Sequence, residues 1–459
     1  MNITKLNRRL EKHFGGAVSA RLDEDRILLS GHLATWAEVI EACSMAATKY
    51  SRIHVVNDIR CDEVGEQPMR CPSLRDSALE GQHPDVLIIG GGISGASIAR
   101  ELSKWNLDIL LVEKEADLAL QASGRNDGEV HPGIDLSTGS LKHHYIRRGN
   151  EHMETVCREL GVPFHRVGQY VCFEKASLKP MIAMYCRIRK NRDGISDTEL
   201  ISGKELSRRE PNLHFAFAIS NPSSGCVCPY GLTIAYAENA VQNGARVSLN
   251  TAVLGMELKD GNIYSVTTNR GTLYPALVIN AAGVFAEDIA AMAGDRFFSI
   301  HPRRGTNSIL DKKAGAYMHA IASIKEVTRN TMHSKGGGIL HTVDDNLLVG
   351  PDAVETWEKE NTETHRESID TVFRKQTRTM QKLSRGDIIT YFTGVRAPTF
   401  EEDFIIEMGR KTGNILHCAG IQSPGLTTAP VVALDIEKMA VEYLSRSRQV
   451  TPNEQYDPI

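Results

Sequence analysis

From Asp85 to Ala99 the sequence reads Asp-Val-Leu-Ile-Ile-Gly-Gly-Gly-Ile-Ser-Gly-Ala-Ser-Ile-Ala. Gly90, Gly92 and Gly95 stand at G-x-G-x-x-G spacing, and the chemistry of that spacing is a grip on a pyrophosphate. Gly90 permits the tight turn, Gly92 lets the backbone approach the phosphates, and Gly95 lets a helix pack closely on a strand. The helix that opens at Ser94 presents unpaired N–H groups and a partial positive charge to the anion. Glu113 ends the next apolar run, in Leu111-Val112-Glu113-Lys114. It stands about twenty residues on, where a carboxylate accepts from ribose hydroxyls. A lone glycine motif says little. With strand, helix and carboxylate in place, this one predicts a bound dinucleotide, with Gly90, Gly92, Ser94, Gly95, Glu113 and Lys114 around it.

The turn by itself does not separate FAD from NAD. Two features favour FAD. The chain carries one such motif, where a reductase using both cofactors usually carries two. Leu277-Val-Ile-Asn-Ala-Ala-Gly283 is a second apolar strand, ending in Ala282 and Gly283, residues small enough to lie against a cofactor.

The elements that must position these groups are α/β from Pro84 onward. Val86–Ile89 is a continuous apolar run, as expected of a strand covered on both faces. A helix and the strand Asp108–Val112 follow, and Leu277–Ile279 and Ile415–His417 are further short strands. Residues 166–222 and 300–394 are richer in charge, β-branched residues and turns, and read as inserted strands of a second layer. Residues 1–62 form a separate α+β unit. Ile3, Leu6, Leu10 and Phe14 have helical spacing, and Val18, Ala20 and Leu22 alternate along a strand. Asp23–Asp25 turns into the strand Arg26–Ser30. Thr35–Glu38 is a capping box opening a helix with Val39, Ile40, Cys43 and Ala47 inside, and Ile53, Val55 and Ile59 alternate in a last strand. Residues 63–83 carry prolines, charges and little periodicity, which marks a linker.

A length of 459 residues calls for two or three domains. The net charge of -4 gives no electrostatic case for nucleic acid or an anionic membrane. No apolar run reaches the roughly 18 residues of a membrane helix, and the N-terminus lacks the apolar core of a secretory signal. The nine cysteines include no C-x-x-C pair, so no metal is expected and a reduced, cytoplasmic protein is.

Residues 84–448 resemble the glycine oxidase/D-amino-acid oxidase superfamily of flavoproteins, and within it the glycerol-3-phosphate oxidase and dehydrogenase branch, with L-2-hydroxyglutarate oxidases as neighbours. The matches are the dinucleotide turn, Asn126–Ile134, Arg303-Arg304-Gly305, Lys335–Gly338, Leu348–Pro351, Gly394-Val-Arg396 and Gly420–Leu426. Residues 1–62 resemble a BON domain, on Leu29–Gly31 and Val55–Asn57. The resemblance implies a Rossmann-type FAD domain assembled from 84–165, 223–299 and 395–448. It is interleaved with a substrate domain on an antiparallel sheet from 166–222 and 300–394, and a tail follows at 449–459.

For an alcohol substrate the chemistry needs a base for the hydroxyl proton, a hydride path to flavin N5, and cations to hold an acidic end. The resemblance makes His131, in a Gly/Pro-rich turn, the base. It gives Arg396 and Lys335 substrate-binding and catalytic roles. Arg396 could otherwise pair with Glu401 or Glu402, and Lys335 could simply be solvated in its glycine loop. Arg304 would approach flavin or substrate, or form a structural salt bridge. Ser423 precedes a helix beginning near Thr427, whose N-terminus would stabilise charge on the reduced ring. It is expected to touch both cofactor and substrate. Ser123, Asn126, Gly128, Gly394, Gly420, Gly425, Leu426 and Thr427 complete the expected cofactor contacts.

Two residues depart from the branch. Asp127 stands where serine is common, and Glu129 where an apolar residue is usual. Carboxylates there would raise the pKa of the base or repel an anion, or would bind an amine or hydroxyl-rich substrate. No appended iron–sulfur cysteine cluster and no covalent flavin attachment are expected. The expected activity is FAD-dependent oxidation of a small polar hydroxy compound, of the glycerol 3-phosphate or 2-hydroxy acid type. An amine or amino-acid oxidase and a flavin-bearing subunit of a larger complex are the alternatives. Oxygen, a quinone or a partner flavoprotein could accept the electrons. Peripheral membrane association, or assembly through residues 1–62, is open.

Overall fold

Val86–Ile89 has no polar side chain and is buried along its whole length. It can therefore only be an inner strand of a sheet covered on both faces. In the computed structural model of the protein, which describes residues 2–65, 68–193, 197–325 and 337–459, it is the third strand of six. The order is Arg246–Ser248, Ile109–Val112, Val86–Ile89, Leu277–Asn280, Ile415–Ala419 and Ile405–Met408. The first five are parallel and the last is antiparallel. The two-residue period of a strand sorts the side chains. Val86, Ile88, Ile109, Leu111, Leu277 and Ile279 face a layer of helices. Leu87, Ile89, Leu110, Val112 and Val278 face the ribbon Val253–Leu273 on the other side.

The helix Ile93–Leu102 starts at Gly92 and lies against the strand it follows. A Cβ on Gly95 would stand 1.9 Å from the carbonyl oxygen of Gly90, so only glycine permits that approach. Gly90 itself has φ 110°, in the region that favours glycine. A second close approach locks the helix layer. Leu141–Glu159 crosses the first turn of Gly425–Leu444 at Gly149, where a Cβ would come within 2.2 Å of the Thr427 carbonyl oxygen.

The inserted segments form a nine-stranded sheet. Its order is Val354–Glu355, Arg303–Leu310, Leu347–Gly350, Gly338–His341, Ile321–Ile324, Gln169–Phe173, Phe217–Asn221 and Glu199–Ser202, with Ile388–Arg396 also paired to Arg303–Leu310. All its pairs are antiparallel except Ile321–Ile324 with Gln169–Phe173. A small sheet of Glu129–Val130, Gly225–Val227 and Phe164–His165 delivers the chain to His131.

Residues 2–62 fold as helix, strand, strand, helix, strand. Asn2 caps the first helix, and the Thr35–Glu38 capping box is present. Two expected inward residues are not inside. Leu22 is 55% exposed and Ile53 39% exposed. Leu22 sits at the hairpin end and Ile53 precedes its strand, His54–Cys61, both at the margin of the small core. The unit docks through a buried carboxylate: Glu401 accepts from the Val55 N–H at 2.8 Å and lies 3.0 Å from His54 Nδ1. Phe400 enters its core. Residues 63–83 contain no helix or strand where they are described, yet they are not a free tether. Arg70 pairs with Glu115, Asp76 pairs with Arg270, and Leu79 is buried. Among the described residues no helix is long and apolar enough to cross a membrane.

Gly95→Ala must push the helix off the strand. The expected outcome is a lower Tm and loss of most of the dinucleotide retained on purification, measured by calorimetry and by the absorbance ratio of cofactor to protein.

Candidate active site

The strands of the parallel sheet end at one edge, and there the chain leaves a cleft with about 1570 Å³ of space outside protein atoms, its open mouth included. Gly90, Gly92 and Ser94 line one end, with Ala282 and Gly283 from the end of Leu277–Asn280. The Glu113 carboxylate accepts from the Gly91 N–H at 2.6 Å and the Glu115 N–H at 2.8 Å. Burial pushes its pKa up, and these two donors and Lys114 oppose the push. Lys114 pairs with Glu115 and Glu360 while facing the cleft. Ser123 places its hydroxyl 2.8 Å from the Ile93 N–H, at the helix N-terminus. Asn126 shapes the loop beside it, donating to the Ser123 carbonyl and accepting from the Gly128 N–H. A helix terminus, a carboxylate beyond it and glycines without Cβ atoms form a cradle of the kind a dinucleotide requires, so these residues fit FAD.

Some expected contacts lie behind the wall. Gly95 packs on Gly90, Gly128 has φ 73° and leaves no room for a Cβ beside the Val227 carbonyl, and Gly420 has φ 68° and leaves none beside the Asp403 carbonyl. These three shape the cleft without lining it. Gly394 does line it. It pairs in register with Gly305, and the two bare positions make room in the sheet. A Cβ on Gly305 would lie 2.0 Å from Arg396 Nη2, and one on Gly394 would lie 2.8 Å from the Arg125 carbonyl. Gly425 and Leu426 line the far end, at the start of the helix Gly425–Leu444.

His131 stands on the cleft wall with Ser423. Its Nε2 lies 3.0 Å from Ser423 Oγ, and its Nδ1 lies 3.1 Å from Glu129 Oε1. Thr427 is not on the wall. Its hydroxyl accepts from the His131 N–H and donates to the Glu129 carbonyl, so it positions the backbone of both. Asn150 donates to the His131 carbonyl at 2.9 Å.

Arg396 is paired with neither Glu401 nor Glu402 among the described contacts. Its guanidinium donates to the Asp352 carbonyl from both terminal nitrogens, at 3.2 Å each, and to the Arg304 carbonyl at 3.4 Å. Burial lowers its pKa, and Asp127 is the leading opposing charge. Arg396 and Asp127 both line the cleft. Arg304 does not: its Nη1 lies 2.8 Å from His365 Nε2. The side chains of consecutive strand residues point to opposite faces, and Arg303 and Arg304 go to different partners. Lys335 lies outside the described residues.

Cleft residues not singled out in the sequence include Met69, from the supposed linker, and Arg125, from a loop. Nor was Gln169, which is not among the lining residues and donates to Glu129 Oε1 at 2.6 Å from forty positions away. The spacing of Glu129 and His131, two apart along one strand direction, was the one available hint of their pairing. Behind Gln422 stands Glu402, which accepts from it at 2.7 Å and pairs with Arg303 at 2.8 Å. Burial alone would raise the Glu402 pKa, but Arg303 and Gln422 overcome it and hold the carboxyl down to about 2. A depressed carboxylate contributes stability that is present above its unfolded pKa and is lost as pH falls through the folded value. The window here runs from about 4.5 to about 2. Glu402→Gln is therefore expected to remove about 3 kcal/mol of acid sensitivity in that window, measured by urea unfolding at a series of pH values.

The comparisons with known proteins agree with this geometry. The family model for DAO, FAD dependent oxidoreductase, matches residues 85–439. The glycerol 3-phosphate dehydrogenase of Caloramator mitchellensis is 35% identical over 376 residues, covering 80% of this chain and 76% of that protein. The L-2-hydroxyglutarate dehydrogenase of Escherichia coli (strain K12) is 31% identical over 282 residues, covering 60% of this chain and 65% of that protein. Among solved structures, the dithionite reduced L-alpha-glycerophosphate oxidase from Mycoplasma pneumoniae with FAD bound superimposes with a TM-score of 0.74. It is 26% identical, covering 82% of this chain and 98% of that one. The dinucleotide cradle, the cleft it opens into and the match across 85–439 lead to one assignment: the chain belongs to the DAO family of FAD-dependent oxidoreductases.

Proposed function

We propose that the protein oxidises the secondary alcohol of a small hydroxy compound carrying an acidic group, of the glycerol 3-phosphate or 2-hydroxy acid type. The observation that carries the reading is the placement of His131 Nε2 beside Ser423 on the same cleft as the half-buried Arg396. FAD, when bound, supplies the acceptor for the two electrons that leave the alcohol carbon. The residues of this chain do the rest. His131 takes the hydroxyl proton at an imidazole nitrogen, which carries a lone pair for it. Arg396 holds the acidic end, because a guanidinium offers a planar fork matched to phosphate or carboxylate. Its own hold on the Asp352 carbonyl fixes where that fork points. Gly305 and Gly394 keep the floor of the cleft open. The relatives named for glycerol 3-phosphate and L-2-hydroxyglutarate support an α-hydroxy or glycerol-type donor.

A second reading has a specific observation behind it. Asp127 and Glu129 put two carboxylates on the cleft wall, where an aminated donor would find counter-charges. A neutral amine can pass hydride without a base, so His131 separates the two readings.

Residues 1–62 we read as a BON-like module serving assembly or partner binding, supported by a compact core that Phe400 completes and by its specific docking through Glu401. The nine cysteines are free thiols, which supports a reducing compartment, the cytoplasm.

For the alcohol reading, His131→Ala is expected to slow anaerobic flavin reduction by about 10²- to 10⁴-fold, followed by the bleaching of flavin absorbance. Retention of the wild-type rate would favour the amine reading. Arg396→Lys is expected to raise KM for an acidic alcohol by about 10- to 100-fold, since a point charge replaces the bidentate fork. Deleting residues 1–62 is expected to lower the number of chains per particle, read by light scattering; an unchanged number would remove the assembly role.

A further inference from the structure

We propose that Glu129 is a positioning residue for this oxidation: its carboxylate holds the proton of His131 on Nδ1, so that Nε2, beside Ser423, is the nitrogen left to take the alcohol proton. The inference rests on the reading of His131 as the base.

A neutral imidazole has one N–H and one lone pair, and which nitrogen carries which is set by its partners. An ionised carboxylate can only accept. Glu129 Oε1 lies 3.1 Å from Nδ1, within ion-pair distance, so the carboxylate favours the tautomer with its hydrogen on Nδ1. Nε2 then faces Ser423 Oγ at 3.0 Å with its lone pair, and a hydroxyl can serve that lone pair or yield the place to substrate. Both side chains are largely enclosed, Glu129 at 11% and His131 at 14% exposure, so water does not compete freely for either nitrogen.

The carboxylate is itself fixed by a polar chain whose direction is unambiguous. Thr198 Oγ1 donates to Asn221 Oδ1 at 2.8 Å, Asn221 Nδ2 donates to Gln169 Oε1 at 2.9 Å, and Gln169 Nε2 donates to Glu129 Oε1 at 2.6 Å. Each amide gives its N–H toward Glu129 and receives on its oxygen from behind. Asn221 is wholly buried and Thr198 nearly so, which anchors the far end in the nine-stranded sheet. The order ends on the one side chain that can only accept. Thr427 fixes the backbone from the other side, as its single hydroxyl hydrogen goes to the Glu129 carbonyl while its oxygen receives the His131 N–H. Asp127, Arg125 and Arg396 share the cleft, but Glu129 is the carboxylate at Nδ1. The resembled branch usually has an apolar residue at this position, so the device belongs to this chain.

The step balances. The alcohol O–H bond breaks and its proton goes to Nε2, giving an imidazolium beside the Glu129 carboxylate. The C–H bond breaks and its hydrogen leaves with two electrons to the FAD that the family uses. The alcohol becomes a carbonyl. A carboxylate at Nδ1 stabilises the imidazolium as it forms, which is where positioning becomes rate.

The test uses FAD-loaded full-length enzyme labelled with ¹⁵N-histidine, and it compares wild type, Glu129→Leu and the near-isosteric Glu129→Gln. In wild type the His131 resonances are expected to show a protonated Nδ1 and an unprotonated Nε2. In Glu129→Leu they are expected to show mixed tautomers. Anaerobic stopped-flow reduction by glycerol 3-phosphate and by L-2-hydroxyglutarate is expected to slow about 10- to 100-fold in Glu129→Leu at saturating substrate, within the range a general base contributes. Apparent KM is expected to stay within about threefold. Glu129→Gln, which keeps an acceptor without the charge, is expected to fall between. A purely structural ion pair would lower Tm without moving tautomer or rate. The proposal is overturned if wild-type His131 carries its proton on Nε2, or if both variants reduce flavin within about threefold of wild type. If His131→Ala retains full activity, the base reading fails instead. If His131→Ala collapses while both Glu129 variants match wild type, only the present inference fails.

Discussion

The contact between Gly95 and the Gly90 carbonyl sets the geometry of everything near the cofactor. It seats the helix Ile93–Leu102 flush on the strand Val86–Ile89, and that fixes where the helix N-terminus points. Because the first five strands of the sheet are parallel, their C-terminal ends share one edge. Three chain segments therefore emerge there together: the glycine turn after Ile89, Ala281–Gly283 after Asn280, and Gly420–Gly425 after Ala419. A ligand crevice at this edge follows from the topology.

The helix layer transmits that placement to the catalytic residues. Gly149 lets Leu141–Glu159 press on the first turn of Gly425–Leu444, and the same turn carries Thr427 beneath Glu129 and His131. His131 is thus held from below by the FAD layer and from the side by Glu129, which the substrate sheet fixes through Gln169. The paired glycines 305 and 394 do the complementary task in that sheet. The bare position at Gly305 leaves room for the Arg396 guanidinium beside the cleft, and the one at Gly394 lets the Arg125 backbone approach.

Consecutive carboxylates at 401 and 402 join the periphery to the centre. Glu401 turns outward to His54 and Val55 in the N-terminal unit, while Glu402, in the left-handed conformation at φ 60°, turns inward to Arg303 and Gln422. Arg303 and the Gln422 amide answer Glu402, and the Val55 N–H and the His54 ring answer Glu401, as burial of polar groups demands. The N-terminal unit consequently closes over a turn whose next residue supports the cleft.

What the sequence determined by itself was local. The glycine turn, Glu113, the Thr35 capping box and the order of elements in residues 2–62 depend on interactions within a few turns or one hairpin, so the residue types and spacings sufficed. The two-layer organisation was legible through resemblance, since its segments are interleaved along the chain. The tertiary structure decided the rest, because the contacts join residues far apart in sequence. Ser423 meets His131 across 292 positions and Gln169 meets Glu129 across 40. Residues 63–83 look like a tether in composition but are bound down by Glu115 and Arg270. Glu129, which as a sequence was a departure to be explained, became the partner of the base only when a fold-wide chain of polar contacts gave its carboxylate a fixed direction.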